Sequence, residues 1–210
     1  MSIQLHYWGV KSRAHAAIFI TGFCDKAAEI TWNKDISYPG TPEFEAYESK
    51  SVLGQLPFLV DGDLQLGQSQ AISRHLARKF GFGEDASATD KALSDMTFAE
   101  ADDIFNAFSK AHYAPDGRGK AFDAVFGEGG FFTKHAVAME GLVGESGFFG
   151  SVAMPGDVAL ASALDLAVGL QADCLDATPK LKALHATVSG TGSIATLTEG
   201  LYPYFKRQDD

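Results

Sequence analysis

Cysteine is almost missing from this 210-residue chain. Only Cys24 and Cys174 occur, each in apolar company, which argues against a disulfide framework or a thiolate metal cluster and fits two small core residues in a reducing cytosol. Long hydrophobic runs are also missing: no stretch of about 18 apolar residues appears, so a membrane-spanning helix is not expected. The segment Met1-Ser2-Ile3-Gln4-Leu5-His6 lacks the basic lead and apolar run of a secretory leader, and a cytoplasmic protein is expected. Positive charge is scarce. Seventeen Lys and Arg against 27 Asp and Glu leave a formal charge of −10, which argues against nucleic acid or an anionic membrane as partner. An anionic ligand would therefore have to be met by a local set of donors.

What is present divides the chain in two. Ile3, Leu5 and Tyr7 alternate with Gln4, His6 and Trp8, a strand that ends at Gly9. From Ser12 to Phe23, Ala14, Ala17, Ile18 and Ile20 recur at helical spacing, with Gly22 near the stop. Glu29-Ile30-Thr31-Trp32 suits a second strand, and Asp35 to Pro42 reads as loop. Leu56 to Val60 and Leu64 to Leu66 flank Asp61-Gly62 as a hairpin. Ser69 is expected to cap a helix whose inner face is Ile72, Leu76 and Phe80. The order is β-α-β, loop, β-β-α, a mixed α/β layer over residues 1–80. Gly81 to Ser87 reads as a linker, and strand signals largely stop there. Helical patterns follow through Leu93 to Phe108, Ala121 to Leu142 with a break at Gly127 to Gly130, Val158 to Leu170, Leu181 to Val188 and Ile194 to Leu201. An all-α second domain over residues 87–210 is expected.

Four features of the first domain carry candidate chemistry, each with a bland alternative. Tyr7 lies at a strand end, where α/β layers open onto clefts, yet alone it reads as a half-buried tyrosine with a backbone partner. Leu56-Pro57 opens a strand, where proline is tolerated because no ladder bond is lost; were its bond cis, Leu56 would turn its backbone towards a ligand. Gln68-Ser69 precedes a helix and reads as a plain cap, but helix amides plus a hydroxyl also make a carboxylate site without net charge. Arg13 is a solvated cation, or a positive charge near a thiol.

Together and in order, these residues resemble the tyrosine-dependent cytosolic glutathione transferases, of sigma, pi, mu or alpha type. The matching motifs are Tyr7-Trp8 with Arg13, Gly54-Gln55-Leu56-Pro57, Asp61-Gly62, Leu66-Gly67-Gln68-Ser69-Gln70-Ala71-Ile72 and Arg74-His75-Leu76-Ala77. In the helical part they are Asp102-Asp103 with Tyr113, Gly150 with Asp157-Val158, and Cys174-Leu175-Asp176 with Pro179 and Leu181. The resemblance implies a thioredoxin-like glutathione-binding domain, then an all-helical domain that supplies an electrophile pocket, in a homodimer. It implies conjugation of glutathione, a co-substrate, to small apolar electrophiles for detoxification, with no metal and no permanently bound cofactor.

By the same resemblance Tyr7 is the catalytic hydroxyl and Arg13 adds a positive field. Gln55, Leu56 and cis Pro57 hold the tripeptide backbone, and Gln68 and Ser69 bind the γ-glutamyl carboxylate. Asp103 of the partner copy meets the ammonium. Phe44 and Lys50 stand near the glycyl carboxylate, where the family's usual lysine is Glu48 and its tryptophan is replaced by Phe44. Met154 stands where the family has a Ser or Thr cap, and His15 where it has an acid. The electrophile pocket is expected from Trp8, Val10, Phe105, Tyr113 and Phe205; core packing is the plain alternative for Phe105. Peroxidase side activity is implied as well. Prostaglandin-type isomerisation is disfavoured by Lys110, where that specialised pocket has an aromatic residue. A non-catalytic carrier or structural protein on the same fold is the alternative function. A thioredoxin-like disulfide oxidoreductase is rejected, because Tyr7 stands where it needs a cysteine and no Cys-x-x-Cys occurs.

Overall fold

In the computed structural model residues 3–208 are described, so the outer ends of the two expected domains, Met1-Ser2 and Asp209-Asp210, lie outside the described residues. The alternation at the start of the chain makes strand β1, Ile3–His6, whose Ile3 and Leu5 face the core while Gln4 is exposed. His6 departs from the alternation and is buried, because its ring stacks on Phe58 with centroids 4.2 Å apart. Helix α1 (His15–Phe23) packs on the sheet and returns the chain to β3 (Ile30–Asn33), parallel to β1. Strands β4 (Phe58–Asp61) and β5 (Leu64–Leu66) then add in antiparallel fashion, giving the order β3-β1-β4-β5. Their register pairs Asp61 with Leu64, so the two-residue loop is Gly62-Asp63, one residue later than Asp61-Gly62. Gly62 takes φ +61°, the conformation the first loop position of such a turn requires.

Three elements were not legible in the sequence: one helix and a pair of short strands. Helix α2 (Pro42–Glu48) forms in the stretch after the loop, with Thr41 as its N-cap and Pro42 at its first turn. A two-residue strand β2 (Val10–Lys11) pairs with β6 (Tyr202–Pro203) from the far end of the chain. Gly22 has a different role from a helix stop. The helix runs through it to Phe23, and a Cβ there would lie 2.7 Å from Ile194, because α9 (Ile194–Thr198) seats against it.

Beyond α3 (Ser69–Lys79) the chain is helical, as α4 (Ala88–His112), α5 (Arg118–Phe126), α6 (Phe131–Glu140), α7 (Pro155–Leu170), α8 (Pro179–Ser189) and α9, and departs from the all-α expectation only in β6, which pairs with β2. Ser87 caps α4 by accepting the Asp90 N–H at 3.1 Å. At α7 the missing Ser or Thr cap at Met154 is offset by Asp157, which accepts the Met154 N–H at 2.8 Å and the Phe149 N–H at 3.3 Å. Both cysteines are free and half-buried, and burial pushes the Cys24 thiol up to about 11 and the Cys174 thiol up to about 12, away from thiolate reactivity.

Helix α7 packs between α1 and α4 and is buried from Pro155 through Leu164. Where it meets the first part of the chain, Asp165 accepts from Lys11 Nζ at 3.0 Å and from His15 Nε2 at 2.8 Å, with His185 Nε2 at 3.7 Å. Burial raises a carboxyl's pKa, but the His15 bond, His185 and the Lys11 charge outweigh it and hold Asp165 well below the usual range. His15 sits fully buried at this contact, and burial lowers its own pKa, so it bonds as a neutral donor. A carboxyl with a depressed folded-state pKa adds stability above its unfolded value, and that stability fades as pH falls below about 4. Asp165→Asn is expected to cost about 2–3 kcal/mol at pH 7 and to cost progressively less below pH ~4. Urea unfolding at both pH values measures this; equal losses at pH 7 and pH 3 would contradict it.

Candidate active site

Tyr7 follows the last residue of β1, where strand pairing is fading: its N–H donates to Asn33 O at 3.3 Å and its carbonyl accepts Trp32 Nε1 at 2.9 Å. These bonds hold the backbone, and the side chain is buried against Trp8, with ring centroids 5.4 Å apart. Its hydroxyl oxygen accepts the Arg13 backbone N–H at 3.3 Å. Burial raises the phenol pKa, opposed by hydrogen bonds from Ser12 and Arg13 and by the Arg13 charge, and the balance lies above the ordinary value. The hydroxyl is therefore protonated at neutral pH, and with its oxygen accepting from Arg13, its own proton is the group left to donate.

The Arg13 side chain turns towards α4. Its guanidinium donates to Asp102 at 3.2 Å and Asn106 at 2.9 Å and covers the Phe105 ring at 4.2 Å. The peptide bond between Leu56 and Pro57 is cis. Ser51 fixes the preceding loop, donating to Gln55 O at 2.8 Å and accepting the Gln55 N–H at 3.2 Å. Neither backbone group of Leu56 pairs with another backbone group among the described residues. Ser69 was expected as the cap of α3; instead it is the first helical residue, and Gln68 occupies the cap position with φ +66°. That left-handed residue turns the chain sharply from β5 into α3. It leaves the first amides of the helix without a side-chain acceptor, as an anion site requires.

These segments enclose a cavity of about 550 Å³ lined by Trp8, Arg13, Phe44, Gln55, Leu56, Pro57, Gln68 and Ser69, which includes most of the expected glutathione-site residues. Tyr7 touches two of the lining residues, through the Arg13 amide and the Trp8 ring. Lys50 is exposed and stands over the Tyr47 ring at 5.2 Å, outside the lining. Asp103 is exposed on α4, outside the cavity of its own chain, whereas Asp102 and Asn106 line it. Asp102 was named in the sequence only as part of the Asp102-Asp103 motif, with the binding role given to Asp103, and Asn106 was not singled out, although the i, i+4 spacing places Asp102 and Asn106 on one face of α4. Glu48 lines the cavity too.

On the other side of Trp8 lies a second cavity of about 910 Å³, lined by Trp8, Val10, Ile36, Tyr38, Leu201, Tyr202 and Tyr204 among others. Trp8 and Val10 of the expected electrophile wall are there. Phe105 and Phe205 instead pack on each other in the core, centroids 5.1 Å apart, and Tyr113 is exposed with its hydroxyl on that of Tyr204. Tyr204 escaped the sequence reading; the aromatic pair Tyr204-Phe205 was its only signal. Among the described residues, no cluster of three or more His, Cys, Asp or Glu is placed to hold a metal ion, and no helix is long and apolar enough to cross a membrane.

No family-level sequence model matches the chain. Among curated proteins it is similar to Glutathione S-transferase Mu 4 of Rattus norvegicus, 28% identical over 93% of this chain and 89% of the relative. It is 35% identical to Glutathione S-transferase 2 of Onchocerca volvulus, over 88% of this chain and 86% of that one. Among solved structures, the Pi-class glutathione S-transferase of Onchocerca volvulus superposes with a TM-score of 0.78 at 26% identity, covering 95% of this chain and 91% of that one. On this likeness of sequence and fold along nearly the whole chain, a thioredoxin-like α/β unit followed by helices, the protein belongs to the glutathione S-transferase family of enzymes.

Proposed function

We propose that this protein conjugates glutathione to small apolar electrophiles, with Tyr7 as the group that favours the thiolate. The observation that carries the reading is the Tyr7 hydroxyl: buried, protonated and accepting from Arg13, it has one proton to donate beside the 550 Å³ cleft. A cysteine thiol has a pKa of about 8.5 and is mostly protonated at neutral pH. A hydroxyl donating to the sulfur favours the charged form, each unit of depression being worth about 1.4 kcal/mol. The thiol proton leaves to solvent, and the sulfur lone pair forms the S–C bond as the electrophile's leaving group departs or its double bond takes the electrons. Tyr7 keeps its proton throughout.

Residues 1–80 would bind glutathione, with Gln55, Leu56 and Pro57 along its backbone and Gln68 and Ser69 on the γ-glutamyl carboxylate at the α3 amides. Residues 87–210 would add the electrophile wall, formed with Trp8 and Val10 at the 910 Å³ cavity and extended by Tyr204 and Tyr113. Arg13 would act chiefly through its backbone amide, because Asp102 partly neutralises its side chain. The exposed position of Asp103 on α4 suits a residue offered to a second copy in a cytoplasmic homodimer, where it would meet the ligand's ammonium. A carrier function draws on one observation, the acid Glu48 in the cleft wall, and predicts binding without turnover.

Tyr7→Phe is expected to keep glutathione affinity within about twofold while raising the apparent pKa of the bound thiol by about one unit or more. The pH dependence of the conjugation rate with a chlorodinitrobenzene reads this directly, and an unchanged profile would remove Tyr7 from that role. Asp103→Ala is expected to weaken glutathione binding about fivefold to tenfold by calorimetry, without loss of the folded state. Unaltered affinity in a protein that sediments as a dimer would show the residue is misassigned.

A further inference from the structure

The cleft has one end without an available cation. Arg13 is the only cation among its lining residues, and Asp102 and Asn106 already engage it. Glu48 stands in the wall contributed by α2 and has no ion-pair partner among the described residues. Lys50, two residues on, lies over the Tyr47 ring instead of facing the cleft.

Helix α2 is held in this position at two points. Phe44 stacks on Trp8, interplanar angle 9° and centroids 5.8 Å apart. One turn later the Tyr47 hydroxyl bonds His6 Nδ1 on β1, and Asn33 Nδ2 lies 3.3 Å from the same nitrogen. Burial and the nearby Lys50 charge lower the His6 pKa, so the ring is neutral in its hydrogen bond with Tyr47 at physiological pH. Glu48 follows Tyr47 directly, so the helix cannot carry it away from the cleft without breaking both contacts.

This inference rests on the reading of the cleft as the glutathione site. With the γ-glutamyl carboxylate at the α3 amides, the sulfur at Tyr7 and the central peptide along the unpaired backbone of Leu56, the remaining end of the ligand lies against α2. A glycyl carboxylate there faces Glu48. Two like charges at a half-exposed wall lower affinity by a factor of about three to five. We propose that Glu48 makes the cleft selective for γ-glutamylcysteinyl thiols whose C-terminal end is uncharged or cationic, over glutathione with its free glycyl carboxylate.

The test compares glutathione with its C-terminal glycyl amide in conjugation to a chlorodinitrobenzene, each rate divided by its uncatalysed rate, with calorimetric Kd for both thiols. For the wild type, kcat/KM for the amide is expected to exceed that for glutathione by about three- to fivefold. The ratio is expected near one in Glu48→Gln and below one in Glu48→Lys, and the wild-type preference should collapse in about 0.5 M salt. A wild-type ratio at or below one that stays put in Glu48→Gln, with conjugation intact, overturns the selectivity and leaves the glutathione site standing. If neither thiol is conjugated or bound, the site reading itself falls, and this inference with it.

Discussion

Helix α7 cannot face water anywhere along its first ten residues, and that constraint organises the molecule. Its apolar surface is taken up by α4 on one side and α1 on the other, so the sheet-bearing half and the helical half share one core. A helix buried on this scale must dispose of every polar group it carries. Asp157 does so by accepting two backbone N–H groups at the helix start, and Asp165 by drawing Lys11 and His15 from the other half onto itself. The result is a junction in which apolar area supplies most of the free energy and one carboxylate fixes the register between α1 and α7.

The site is assembled across this junction. Tyr7 lies at the end of β1 and Arg13 just before α1, and the Arg13 guanidinium is received by Asp102 and Asn106 on α4. Because α1 and α4 are both anchored on α7, the Tyr7–Arg13 pair and the α4 wall keep a constant relation. The α2 wall is anchored separately, by aromatic stacking on Trp8 and by the Tyr47–His6 bond to the sheet. The cleft therefore has two supports of different kinds, a buried apolar seam on one side and a local polar hook on the other.

Trp8 divides the two cavities. Its stacking on Phe44 faces the polar cleft, and its other neighbours belong to the larger, more apolar cavity closed by Leu201, Tyr202 and Tyr204. The parallel pairing of β2 with β6 holds that C-terminal segment beside Trp8, so the two cavities adjoin at the residue that follows Tyr7. A reaction joining a polar thiol to an apolar partner needs such an arrangement.

Much of this was legible in the sequence by itself, because it depends on short-range chemistry. Alternation wrote β1, helical spacing wrote α1, α3, α4 and α7, and glycines marked the break between α5 and α6, whereas Gln55-Leu56-Pro57 and Gln68-Ser69 were marked as cleft residues only by the family resemblance. Tertiary structure decided what depends on contacts between distant positions. No local signal makes Val10 pair with Tyr202, turns Gly22 from a helix stop into a docking point for α9, or buries His6 under Tyr47 against the strand alternation. Nor does spacing distinguish Asp102, drawn into the cleft by Arg13, from its neighbour Asp103, which the turn of α4 leaves exposed. The physical reason is the same in each case: periodicity tells which face of an element is apolar, whereas the partner that covers it is chosen only when all the faces are packed at once.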